Sequence, residues 1–147
     1  MKLLQFLVIS IVLLLAACSG NSLPADQVGG TAYASQEDNQ GSITVKVTPL
    51  NLGIDQDTLT FNVVMDTHSV ELSMDLADLA VLSNDRGDDV QPLGWPVGSG
   101  HHYEGVLTFP SSSVTGKPLI EGATELVLVI RDLDADERRF EWRLNAG

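Results

Sequence analysis

Three histidines are the residues whose type and spacing point first to chemistry, and all lie in two short segments. His68 sits in Met65-Asp66-Thr67-His68-Ser69, where a strand ends. His101 and His102 sit in Gly98-Ser99-Gly100-His101-His102-Tyr103, a glycine-rich loop leading into a strand. Neutral imidazole is the commonest side-chain ligand for zinc and copper. Asp66, Glu104, Met65 and Met74 are near in sequence, and carboxylate suits zinc as thioether suits reduced copper. His68, His101, His102 and Asp66 are therefore the candidate metal set, with copper or zinc as the ion. The opposing reading is structural. Consecutive residues of a strand face opposite sides, so His101 and His102 share an ion only if the Gly98–Gly100 loop is irregular. His68, between Thr67 and Ser69, can also serve by bonding its own turn. No His-Glu-x-x-His spacing is present.

Other constellations are weaker. Asp132, Asp134 and Asp136 open with the rhythm of a calcium loop, but Glu137 and Arg143 stand where that loop needs Gly and Glu. A solvated acidic hairpin turn is the better reading, as it is for Asp85, Asp88 and Asp89. Arg86-Gly87-Asp88 spells an adhesion tripeptide, which a turn explains without a partner. There is no Gly-x-Ser-x-Gly elbow and no glycine-rich phosphate loop. Asp66, His68 and Ser69 are too close along an extended chain to form a triad. The expectation is a binding or accessory protein, not an enzyme. Trp95, between Gly94 and Pro96, and Tyr103, beside the histidine loop, are the candidate walls of a binding site. Trp142 alternates with Phe140 and Leu144 and reads as core.

These residues need a scaffold, and 147 residues provide one domain. Twenty acids against eight Lys plus Arg give a formal charge of −12. That charge argues against a grip on nucleic acid and against a polybasic membrane patch. The N-terminus places Lys2 before an apolar run from Leu3 to Ala17, too short for a comfortable membrane span but laid out as an export signal. Leu15-Ala16-Ala17-Cys18 resembles the lipobox of bacterial lipoproteins. The resemblance implies removal of residues 1–17 and a diacylglycerol thioether on Cys18. It implies a cell-envelope protein outside the cytoplasmic membrane, held by that lipid; an envelope protein partner, met through an exposed sheet edge or the loop around Trp95, is a separate expectation. Ser19, where inner-membrane members often carry Asp, favours the outer membrane where the host has one. Cys18 is the only cysteine, so disulfides and thiolate catalysis are excluded from the mature domain.

Residues 18–41 then read as the lipidated cysteine and a disordered linker, rich in Gly, Ser, Asn, Gln and Asp. The alternative is a short ordered piece, such as Ala32-Tyr33-Ala34 added to a sheet edge. Residues 42–147 read as the folded domain. Ile43, Val45 and Val47 alternate with polar residues, as do Leu59, Phe61 and Val63. Leu126, Leu128 and Ile130 follow the same period of two, and so do Phe140, Trp142 and Leu144. Shorter strands are expected at Ser69–Leu72, Ala80–Ser83, Val90–Leu93 and Tyr103–Phe109. Asp75–Ala80 offers one helical turn capped by Asp75. About seven short strands with turns between them predict an all-β, antiparallel, immunoglobulin-like β-sandwich; a closed barrel is the alternative. Residues 58–144 resemble an uncharacterised group of extracytoplasmic β-sandwich proteins that share the D-T-H-S segment, here Asp66–Ser69, and a W…G-H-H segment, here Trp95 and Gly100-His101-His102. That likeness implies a shared domain and no particular activity. A metal-free interaction module on this scaffold would show an apolar surface patch near Trp95 and histidines in structural hydrogen bonds.

Overall fold

The computed structural model describes residues 33–144; the signal segment, Cys18 and the remainder of the chain up to residue 32 lie outside the described residues. Eight strands form an antiparallel β-sandwich: β1 (Gln36–Asp38), β2 (Ile43–Asn51), β3 (Thr58–Thr67), β4 (Ala80–Asn84), β5 (Asp89–Val90), β6 (His102–Pro110), β7 (Glu125–Arg131) and β8 (Glu137–Arg143). One sheet has the order β1-β2-β3-β6 and the other β5-β4-β7-β8. Apart from the added β1, that is the order of immunoglobulin-like sandwiches, with β6 returning to pair with β3.

Alternation explains the layers. Ile43, Val45 and Val47 of β2, with Leu59, Phe61, Val63 and Met65 of β3, turn inward and are buried. They meet Leu82 of β4, Leu126, Leu128 and Ile130 of β7, and Phe140 and Trp142 of β8. Phe61 stands edge-on to Phe109 at 5.8 Å and packs against Trp142 at 5.3 Å. The single helical turn α1 (Leu76–Leu79) is started by Asp75, whose carboxylate accepts the Ala77 N–H at 2.9 Å. Leu76 pins it to the core.

Three expectations are corrected. The segment read as linker up to residue 41 contributes an edge strand, at Gln36–Asp38 rather than Ala32–Ala34. Asp38 pairs with Val45 and Gln36 with Val47. Its side chains then reach across to the other sheet. The Gln36 amide accepts the Glu141 N–H at 3.1 Å and donates to the Glu141 carbonyl. Trp142 Nε1 donates to the Ala34 carbonyl at 2.9 Å, and Gln40 donates to the Glu137 carbonyl at 3.0 Å. Residues 34–42 therefore close one side of the sandwich. Ser69–Leu72 is not a strand. Thr67 N–H bonds the His101 carbonyl and Leu72 N–H bonds the Gly100 carbonyl, both at 2.9 Å, so residues 68–71 loop out between successive partners. Val90–Leu93 shortens to Asp89–Val90, because Leu93 crosses to the other sheet and donates to the Thr108 carbonyl at 2.7 Å. Residues 93–98 then close the second side.

Candidate functional site

Strand register assembles the most conspicuous polar pair. Asp66, next to last in β3, stands directly opposite His102, the first residue of β6, on the outer face of the sheet. The His102 Nδ1 and an Asp66 carboxylate oxygen are hydrogen-bonded. Both side chains are more than half exposed, so solvent and salt reach the pair. The hydrogen bond to Asp66 comes first among the causes that raise the His102 pKa above its ordinary 6.5; the Asp66 charge adds to it, a slight burial opposes, and Glu104 contributes least. Glu104 lies two residues along the same face and accepts from Asn62 Nδ2 at 2.8 Å.

The other histidines are not drawn into this pair. His101 precedes the strand; its backbone carbonyl is taken by Thr67 and its ring is exposed. His68 opens the 68–71 loop, also exposed, and Ser69 N–H turns back to the Thr67 hydroxyl at 3.3 Å. Among the described residues no three His, Cys, Asp or Glu side chains converge as a metal cage. Met65, counted above as a thioether donor, faces the core and is fully buried, because alternation in β3 turns it inward from Asp66. Glu71 was missed by the sequence reading. Its carboxylate accepts the Gly100 N–H at 2.6 Å and ties the two histidine segments together. The glycine-rich loop, with donors lacking strand partners, was the available signal.

Trp95 offers no exposed face to a ligand. It is 7% exposed and belongs to the core. Gly105 opens the space for it: a Cβ there would stand 2.9 Å from the indole Cη2. Tyr103 meets the indole edge-on at 5.6 Å and its hydroxyl donates to the Pro96 carbonyl. Trp95 and Tyr103 thus form a clasp that holds residues 93–98 against β6. Around this clasp Leu93, Val97 and Val106 are exposed.

Each acidic turn lends a carboxylate to the fold. Asp134, at φ 50°, accepts from Ser42 N–H and fixes the β7–β8 hairpin to the turn before β2. Asp85 accepts from the Thr124 hydroxyl at 2.7 Å and the Thr124 N–H at 3.0 Å, which hold its pKa below the ordinary carboxylate range. Arg86 of the adhesion-like tripeptide donates to the Glu121 and Pro118 carbonyls, each at 2.6 Å. Together with Asp88 and Lys117 it lines an open crevice of about 470 Å³ whose charges answer one another.

Comparison of the chain with protein families, curated proteins and solved structures found no match.

Proposed function

We propose that the chain is an exported lipoprotein, acylated at Cys18 and held in the cell envelope, in the outer membrane where the host has one. Its sandwich serves as a binding or accessory module for an envelope protein partner, and not as an enzyme. The observation that carries this reading is that Leu93, Val97 and Val106 stand in water on the 93–98 segment and on β6, the two pieces of chain that the Trp95–Tyr103 clasp joins. Large apolar side chains left in water on a rigid support, beside a polar rim, are what a protein contact covers. The rim here is Asp66, His102 and Glu104.

A photo-crosslinking residue at Val106 in the full chain tests this in cells. A discrete adduct that is lost with Leu93→Ser and Val97→Ser supports the reading. Adducts that survive both changes, or none at all, overturn it.

A second reading rests on a different observation. A carboxylate on one ring nitrogen of a histidine is the usual outer support of a metal ligand, and it leaves the other nitrogen free. Asp66 holds His102 Nδ1 in that manner, so Nε2 is the donor for copper or zinc, with His101 or His68 brought in by loop movement. Calorimetric titration of the full chain with either ion, beside a His68→Ala, His101→Ala, His102→Ala variant, decides it. Stoichiometric binding lost in the variant supports a metal-handling module. No binding, or equal binding by both proteins, leaves the metal-free partner site.

A further inference from the structure

The sandwich has two unlike ends, and strand direction says at which one the chain enters. β1 is antiparallel to β2, with Gln36 opposite Val47 and Asp38 opposite Val45. Val45 in turn faces Met65, and Met65 faces Tyr103, one row from the Asp66–His102 pair. β1 therefore runs toward the histidine end, and Tyr33 lies toward the opposite end. The Ser35 hydroxyl, 2.7 Å from that of Thr48, marks the path.

That opposite end carries three aliphatic side chains in water. Leu50 is 57% exposed, Ile54 55%, and Val114 wholly exposed. None is placed there by core packing. Leu50 is the extra residue of a bulge, for Pro49 pairs with Phe61 and Asn51 with Thr60, and bulges re-aim side chains. Ile54 is in the β2–β3 connection. Val114 tips a tight turn closed by Gly116 N–H on the Ser113 carbonyl at 2.8 Å. A bond from Ser111 N–H to the Asp57 carbonyl, 3.1 Å, ties the two loops side by side.

Both ends carry acids: Asp66, Glu71, Asp132, Asp134 and Asp136 at the histidine end, and Asp55, Asp57, Asp85, Asp88, Asp89 and Glu121 at the entry end, where Arg86 and Lys117 offset Asp88. Charge therefore does not choose between them. Covalent reach favours the entry end. Fifteen residues join Cys18 to Tyr33, at most about 50 Å when extended. Presenting the histidine end to the lipid would spend most of that length running back past the domain, since the ten residues of β3 alone span about 33 Å.

We propose that the loops at residues 50–57 and 111–118 rest on the lipid surface to which Cys18 is attached, with Leu50, Ile54 and Val114 among the headgroups and the histidine end facing away. This rests on the lipoprotein reading above. Aliphatic side chains that enter the interface add binding to an acyl anchor and fix the orientation of what it carries.

The test uses the full chain, purified from membranes and reconstituted in phosphatidylethanolamine–phosphatidylglycerol vesicles. Val114→Cys and, at the other end, Ser69→Cys each add a thiol for an environment-sensitive fluorophore; acylated Cys18 does not react. Mass spectrometry of the N-terminal peptide is run first. A diacylglycerol on Cys18, with emission shifted to shorter wavelength and quenched by lipid-borne nitroxide at position 114 but not at 69, supports the proposal. An acylated Cys18 with the same emission at both positions overturns it and leaves the anchor reading standing. An unmodified Cys18 overturns the anchor reading and this proposal with it.

Discussion

Arg138 of β8 and Asp38 of β1 are 100 residues apart in sequence, and the guanidinium Nη1 stands 2.5 Å from the Asp38 carboxylate. Arg138 is fully buried. Its other donors go to the Leu133 carbonyl at 3.0 Å and the Gln40 carbonyl at 2.6 Å. Every one of those acceptors except Leu133 comes from the segment just before β2.

A domain that starts at residue 42 therefore leaves a buried guanidinium without its counter-charge and bares the edge of β2. Removing one partner of a buried ion pair costs about 3–5 kcal/mol. The expected outcome is a large fall in urea midpoint for residues 42–147 relative to 33–147. Asp38→Ala in the longer chain should reproduce much of it. Equal midpoints for the two lengths would show that residues 33–41 are not part of the stable unit.

The same pair sets an acid limit. Burial by itself would raise the Asp38 pKa; hydrogen bonds from Gln40 and the Arg138 charge outweigh it, and the net value lies below the ordinary 3.8. A carboxylate with a depressed folded pKa adds stability that is present above its unfolded pKa and is lost as pH falls through the folded one. Stability should thus decline below about pH 4. Asp38→Asn should be less stable at neutral pH and lose less on acidification. Parallel acid limbs for the two proteins in a circular-dichroism titration would remove Asp38 from the account.

His102 has the opposite sign. Its folded pKa is raised, so the Asp66–His102 interaction is fully present below the unfolded value near 6.5 and is lost as pH rises through the folded pKa. Both groups are exposed, and the effect should shrink in high salt. A proton-NMR titration should give His102 a midpoint above its ordinary value, returned toward that value by Asp66→Asn. An unchanged His102 midpoint in that variant would contradict the pairing.

Much of the scaffold could be read from periodicity because it is local. β2, β3, β7 and β8 alternate, and alternation alone turns Phe61, Leu128 and Trp142 inward. The same parity continues one step back from Phe140 to Arg138, but a charged residue reads as surface, and only distant Asp38 makes its burial tolerable. Gln36-Glu37-Asp38 carries no apolar period. Its pairing is made by backbone and by the Gln36 amide, which composition does not announce. For the candidate site, residue types singled out Asp66 and His102 as metal ligands, and the structure shows them hydrogen-bonded to each other. Which histidine meets the aspartate depends on the β3–β6 register, a non-local quantity. The burial of Trp95, a candidate site wall by its flanking Gly94 and Pro96, depends on the missing side chain of Gly105, which no local pattern announces.

Glycine is also the key to the Trp95–Tyr103 clasp. A Cβ at Gly98 would fall 1.7 Å from Tyr103 Cε2, inside the ring's van der Waals surface, so the phenol occupies the space a side chain there would need. Gly98→Ala must push the ring away. That breaks the Tyr103 hydroxyl bond to the Pro96 carbonyl and disturbs the edge-on contact with Trp95. Overpacking of this kind costs about 1–3 kcal/mol. Tyr103→Phe removes only the hydroxyl bond and should cost about 0.5–1.5 kcal/mol. The clasp carries the exposed Leu93 and Val97, so Gly98→Ala should weaken partner capture at Val106 more than Tyr103→Phe does. Chemical denaturation together with crosslinking yield at Val106 separates the two. A Gly98→Ala protein as stable as the parent would mean that Tyr103 has another place to go, and that the clasp does not hold the 93–98 segment.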